Sequence, residues 1–270
     1  MPRPIWSGTI SFGLVSVPVR MFTATESKEL RFHFVDKRDM TPIAYEKVRS
    51  DDREPVPAEE IVRAFEIDKG RYVEIGDDDL DRLDIELTHS IDIYDFVSLD
   101  EIDPLYFRQA YYLLPQQGGE KPYRLLARAL EETGKVGIAK VVIRNKQHLA
   151  CLRPYEGLLV LETMYYADEV RQPAQLDGDL GSARLQKAEV EMAKSLVENL
   201  SAPFEPAKYD DSYREELIEL IRAKAEGQPL PEPQEPEAEV VDLMQALRES
   251  VERTKKQTRG PKRPRAKKAS

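Results

Sequence analysis

The stretch Lys135–Arg171, KVGIAKVVIRNKQHLACLRPYEGLLVLETMYYADEVR, reads as three consecutive β-strands. Val136–Arg144 is apolar and β-branched, Gln147–Arg153 follows a polar break at Asn145-Lys146, and Leu158–Tyr166 follows Glu156-Gly157. Runs of Val, Ile and aromatics bounded by Gly, Asn and Pro are the strand signal. Side chains alternate along a strand, so Gly137, Ala139, Val141 and Ile143 share one apolar face. Val136, Ile138, Lys140, Val142, Arg144 and, counted across the break, Lys146 share the other, which turns basic toward its end. Such a meander suits a barrel or sheet that offers cations to an anion. On these three bases alone, solvated sheet residues are the simpler reading.

Working outward, the 270 residues suffice for one large domain with appendages. A chain of this length buries about three-quarters of its unfolded surface and needs neither disulfide nor metal to fold. The single Cys151 lies in an apolar strand and is expected to be a buried, inert thiol. The start, MPRPIWSG, lacks a basic region followed by a long apolar run, and no apolar run reaches a membrane span of about 18 residues. The expectation is a soluble cytoplasmic protein with no membrane partner.

The net charge of −10 is unevenly spread. Arg253, Lys255, Lys256, Arg259, Lys262, Arg263, Arg265, Lys267 and Lys268 follow Glu252 without one acid. The remainder holds 31 bases against 50 acids, a net of −19. An acidic body with a basic tail points to a nucleic-acid or membrane-surface partner. The tail has no hydrophobic face, so nucleic acid fits better.

Along the chain, Ile5–Thr25 reads as a hairpin with Trp6, Gly8, Ile10 and Phe12 on one face, then Val17, Val19 and Met21 opposed to Arg20. Arg31–Asp36 and Ile43–Val48 are expected as short strands, and Arg49–Ala58 as a loop. Phe65–Ile67 and Tyr72–Ile75 are set to pair across Asp68-Lys69-Gly70. Asp77-Asp78-Asp79 opens a short helix, since acids suit exposed N-terminal amides; it lacks the spacing of a calcium loop. Ser90–Val97 and Tyr106–Leu114 are strands, and Pro122–Thr133 is a helix that ends at Gly134. Many short strands at close spacing argue for an all-β barrel or sandwich core.

Past Arg171 the pattern becomes helical. Ser182–Ser201 carries a Leu185, Met192, Leu196, Leu200 stripe, and Ser212–Glu226 opens on a Ser212/Glu215 capping box. Gly227–Glu239 is a Pro/Glu linker reaching at most about 40 Å at about 3.1 Å per residue. Val240–Glu252 is a short amphipathic helix with Val240, Leu243, Met244, Leu247 and Val251 on one face, a candidate for docking a partner or its own core. Thr254–Ser270 is disordered by composition.

Phosphate-loop, dinucleotide, zincin and nucleophile-elbow motifs are absent, and His33, His89 and His148 lack ligand spacing. No cofactor, metal or catalytic residue is therefore assigned.

Several blocks in order carry a family likeness: IWSGTISFGLVSVPVRMFTATE (5–26), YEKV (45–48), EIDPLYFRQAYYLLP (101–115), GKVGIAKVVIRNKQHLACLRPYE (134–156), YYADEVR (165–171), FEPAKYDDSYREELIELI (204–221) and VVDLMQALRESVERT (240–254). On these blocks the chain resembles bacterial Ku, the DNA-end-binding protein of non-homologous end joining. The resemblance implies a mainly β fold with appended α: a Ku-like β-barrel core with a DNA-encircling bridge and a C-terminal helical arm. It implies a homodimer that threads onto double-stranded DNA ends without catalysis, and recruits the bacterial end-joining ATP-dependent DNA ligase. Some relatives carry Cys-x-x-Cys after the Tyr-Glu-Lys-Val block. Here Arg49, Ser50, Asp51 and Asp52 stand there, so no zinc is carried over.

The resulting expectation is a barrel core with bridge over 1–180, a helical arm over 181–226, a linker over 227–239, a docking helix over 240–252 and a basic tail over 253–270. Lys140, Arg144 and Lys146 are expected to face DNA, with Arg20, Arg171 and the tail bases Lys255, Lys256, Arg259, Lys262, Arg263, Arg265, Lys267 and Lys268 adding contacts. Leu243, Met244 and Leu247 are expected to dock the ligase. Location is expected to be cytoplasmic and nucleoid-associated. The alternatives are a histone-like DNA-compacting protein acting through its tail, and a hydrolase built from scattered carboxylates.

Overall fold

The computed structural model describes residues 3–80, 82, 89–144, 146–173, 184–228 and 250–252. The chain divides into two units, Met1–Leu176 and Asp177–Ser270.

The first unit is built on a closed barrel. Its strands are β1 (Trp6–Phe12), β2 (Val15–Thr23), β5 (Ser90–Ser98), β6 (Phe107–Pro115), β7 (Lys135–Ile143), β8 (Lys146–Tyr155) and β9 (Leu158–Met164). Their order around the barrel is β1-β2-β6-β9-β8-β7-β5, with β1 and β5 closing it as parallel neighbours. Two further strands, β3 (Ala64–Asp68) and β4 (Arg71–Glu74), form a separate hairpin. Alternation selects the interior: Ile10, Val17, Met21, Ile91, Leu113 and Leu161 are fully buried there. The face expected from β7 is the inner one, since Ala139, Val141 and Ile143 join this core. Glycine is required at position 8, where a Cβ would meet the Trp6 ring at 2.3 Å and the His89 carbonyl at 2.0 Å.

The two ends of the barrel differ. One end holds α2 (Glu120–Thr133), whose Tyr123, Leu126, Ala127 and Leu130 enter the core. The Tyr123 hydroxyl donates to the Leu113 carbonyl and accepts from the Leu159 amide, both at 2.7 Å, and so ties the helix to a β6–β9 register pair. The helix begins two residues before the expected Pro122, which sits inside its first turn, where the amide is unneeded. Gly134 ends it at φ 64. The segment between β5 and β6 crosses back over the outer wall. Its Ile102 and Tyr106 cover Val136, Cys151 and Met164 there. Tyr106, expected in a strand, belongs to a 3-10 turn of this crossing.

The other end is where a long arm leaves and returns. β2 runs antiparallel to β1 and β5 runs parallel to it, so the end of β2 and the start of β5 meet at the same rim as Trp6. From Phe22 to Leu80, all described, no residue is buried. The strands expected over 31–36 and 43–48 are not regular strands; single bridges, Val35 to Pro42 and Val48 to Pro55, replace them. The two bridges close knuckle-like turns repeated at a fixed offset. Asp36 N–H donates to the Thr41 carbonyl and Arg49 N–H to the Glu54 carbonyl, each at 2.8 Å, with Met40 and Arg53 at positive φ. Carboxylate–guanidinium pairs, Asp36–Arg38 and Asp51–Arg49, cap them. The hairpin expected across Asp68-Lys69-Gly70 forms as β3–β4, and α1 (Asp77–Leu80) opens on the three aspartates.

The second unit contains α3 (Lys187–Leu200) and α4 (Ser212–Ala225), neither with a buried residue. α3 starts later than expected, where Gln186 and Glu189 form its capping box. The cap of α4 is Asp211 rather than Ser212: its carboxylate accepts from the Arg214 amide at 3.0 Å. The linker expected over 227–239, apart from Gly227 and Gln228, and nearly all of the helix expected over 240–252 lie outside the described residues, as does the tail over 253–270.

Candidate nucleic-acid interface

Cations gather at the barrel rim from which the arm springs. The β7–β8 hairpin turns there. β7 ends at Ile143, Arg144 stands in the turn at φ 51, and Lys146 opens β8 opposite Ile143. This corrects the shared face of Lys140, Arg144 and Lys146. Cross-strand partners point to the same side, so Lys146 follows the parity of Ile143, opposite to Lys140. The two-residue turn between Ile143 and Lys146 reverses the chain and shifts the parity by one. Proximity to one rim, rather than a common strand face, unites Arg144 and Lys146.

Lys140 lies on the outer wall in the half of the barrel nearer that rim. Its register partner is Asp92, and its ammonium lies 5.3 Å from the Tyr94 ring centroid. Arg20 is also outward and exposed, opposite Ser7 and Leu114. Arg171 is exposed beyond the turn closed by Glu169. Arg20, Arg144 and Arg171 form no ion pair among the described residues. The tail bases Lys255, Lys256, Arg259, Lys262, Arg263, Arg265, Lys267 and Lys268 lie outside the described residues, as do Leu243, Met244 and Leu247.

Sequence reasoning missed Arg108. A register shift between Phe107 and Gln109 sets it off the regular ladder, and its guanidinium lies 5.5 Å from the Tyr165 ring centroid. The available signal was compositional: bases interleaved with Tyr94, Tyr165 and Tyr166 near the ends of these strands. His148 stands among them. Burial pushes its pKa below the ordinary imidazole value, Lys146 and Arg108 push it further, and Glu169 opposes. Tyr166 is raised, first by burial and then by Glu169, Asp168 and Tyr94. These mutual influences make Tyr94, Arg108, Lys146, His148, Tyr166 and Glu169 one electrostatic neighbourhood. Cations and ring faces in this pattern suit phosphates, which they hold without reading bases.

Cys151 is buried and its pKa is pushed up to about 12, chiefly by burial, so the thiol stays protonated. Among the described residues no group of three or more His, Cys, Asp or Glu side chains is placed to hold a metal ion. Among them no helix is long and apolar enough to cross a membrane.

Known proteins are similar to this chain in sequence. The family model described as the Ku70/Ku80 beta-barrel domain matches residues 11–194. The chain is 46% identical over 252 residues to the non-homologous end joining protein Ku of Symbiobacterium thermophilum, covering 92% of this chain and 62% of that protein. It is 46% identical over 275 residues to the protein of the same name from Heliobacterium modesticaldum, covering 99% of each. The Bacillus subtilis protein of that name is 41% identical over 259 residues, covering 94% of this chain and 83% of its own length. The match runs from the end of β1 through the rest of the barrel and the arm to the start of the helical unit, and the likeness to full-length relatives runs on beyond it: the chain belongs to the Ku family.

Proposed function

We propose that this protein binds the ends of double-stranded DNA, irrespective of sequence, in non-homologous end joining. It acts as a homodimer whose paired arms close over the duplex, in the cytoplasm at the nucleoid. One observation carries this reading: the arm springs from and returns to one barrel rim, yet from Phe22 to Leu80 it buries nothing. Phe32, Phe34, Tyr45, Phe65 and Tyr72 are all exposed along it. Apolar surface on this scale calls for a cover. A second copy supplies one by two-fold symmetry, and two such arms span more than one does. The rim cations then lie at the arm's root, where a duplex held under the arms would pass. Local cations, not net charge, supply the attraction, because the molecule is acidic overall.

A ring reaches duplex only from an end. The test is competition between short linear duplex and covalently closed circles of equal mass at moderate salt. Strong preference for the linear form is expected; equal binding would favour the histone-like alternative.

The segment 240–252 recruits the ATP-dependent end-joining ligase, through Leu243, Met244 and Leu247 at helix-in-groove spacing. Leu247→Asp weakens ligase capture and leaves end binding intact. Loss of end binding instead would assign the segment to the core.

A further inference from the structure

A carboxylate is fixed among the rim cations, beside Lys146. Glu169 closes the turn after β9: its amide donates to the Tyr166 carbonyl at 3.0 Å, and its Oε2 accepts from the Tyr166 amide at 2.9 Å. Its Oε1 lies 3.9 Å from Lys146 Nζ. The acid is thus pinned to backbone rather than free to swing away. Its charge reaches His148 and Tyr166.

The fold does not require that charge. The hydrogen bond to the Tyr166 amide needs only an acceptor. The Lys146 pair is long and open to solvent, with side chains 60% and 38% exposed, a geometry that contributes little to stability. Toward phosphate, however, a pinned carboxylate is repulsive, and it partly neutralises the lysine beside it. Placed here it lowers the hold of the rim on DNA.

We infer that Glu169 is a countercharge that limits phosphate affinity at the rim, so that a loaded protein moves along duplex instead of locking to one position. The inference rests on the DNA reading above and assigns a specific residue to its regulation. Enclosure retains the protein topologically, so tight phosphate contacts are not needed for residence, and they would slow movement inward from an end. A homodimer carries the countercharge twice.

The test is Glu169→Gln in the full chain, measured on linear duplex across a salt series and by single-molecule tracking. Gln keeps the acceptor to Tyr166 and removes the charge. Affinity at low salt is expected to rise roughly fivefold, as one repulsive charge per site is lost. The slope of log K against log salt should steepen by up to about 0.9 per site as Lys146 becomes a full phosphate contact. Diffusion along DNA should slow, with the melting temperature unchanged. Glu169→Ala removes the same charge without adding a polar group and gives the same DNA readout, with its melting temperature measured alongside to report the lost acceptor. Lys146→Ala and Arg108→Ala separate the two levels. If they weaken binding while loss of the Glu169 charge does not strengthen it, the countercharge is overturned and the DNA reading stands. If none of the variants changes affinity or slope, the rim is not the phosphate surface and the countercharge is overturned; absence of end-dependent binding by the unaltered protein is what overturns the DNA reading.

Discussion

The barrel and its arm are made from similar residues and end in opposite states. In the barrel, alternation puts Ile10, Val19, Leu152 and Leu159 on one side of a closed sheet, where no edge remains and each strand covers the next. In the arm, Phe65 and Tyr72 lie on a two-stranded hairpin with 67% and 63% of their surfaces exposed. An isolated hairpin is marginal in water. One chain thus holds a self-sufficient core and a segment that is completed only by something outside it. The barrel answers to its own packing, and the arm answers to its cover.

Arm substitutions should have the largest effect on assembly. Phe65→Asp with Tyr72→Asp places charges on both faces of the hairpin. Analytical ultracentrifugation should find monomer, and end binding should fall below detection, while the barrel melts as before. A dimer that persists would mean that the arm is not the principal contact.

Barrel substitutions should do the reverse. Gly8→Val forces a branched side chain against the Trp6 ring and the His89 carbonyl, and should cost about 3 kcal/mol or more, read as loss of soluble folded protein. Tyr123→Phe deletes a hydroxyl bonded to both Leu113 and Leu159. It should cost about 1–3 kcal/mol by denaturant titration and leave dimer and DNA binding intact.

Rim substitutions lie between the regions and should touch neither fold. Arg108→Ala should lower the salt slope of log K by about 0.9, and Lys146→Ala by less because Glu169 partly offsets that lysine, with the melting temperature unchanged in both. Unchanged slopes would move the phosphate surface elsewhere.

The smallest effect concerns His148. Its folded pKa is depressed, chiefly by burial, from an ordinary value near 6.5. Below that value the unfolded chain takes up the proton before the folded one does. Stability from this group is therefore complete above pH 6.5, declines as pH falls toward the folded pKa, and is level below it. His148→Asn should flatten that part of the stability-against-pH curve, and an unaltered curve would show that the group is not coupled to folding.

Much of this was legible in the residues. The inner face of β7 followed from Gly137, Ala139, Val141 and Ile143. The turn at Glu156-Gly157 showed as a polar break, and both residues take positive φ. The family blocks located the barrel. What escaped depends on register and on long-range contact. Arg108 shifts off the ladder only because β6 pairs irregularly with β9, which no local pattern in FRQ announces. Lys146 changed face because a two-residue turn reverses the chain. The apolar runs at 31–36 and 43–48 looked like strands because composition does not say whether a neighbouring strand will be present. Glu169 lay inside the quoted YYADEVR block but gained meaning only when the turn set it beside Lys146.

End binding in this protein depends on enclosure of the duplex by two arms. That dependence is tested most directly by loading the full-length protein onto a linear duplex, ligating the DNA ends into a closed circle, and washing at high salt. Enclosure predicts that protein stays on the circle at salt that strips it from open linear DNA, and leaves when the circle is cut. Equal loss from circular and linear DNA would contradict enclosure and leave only charge attraction between this protein and the duplex.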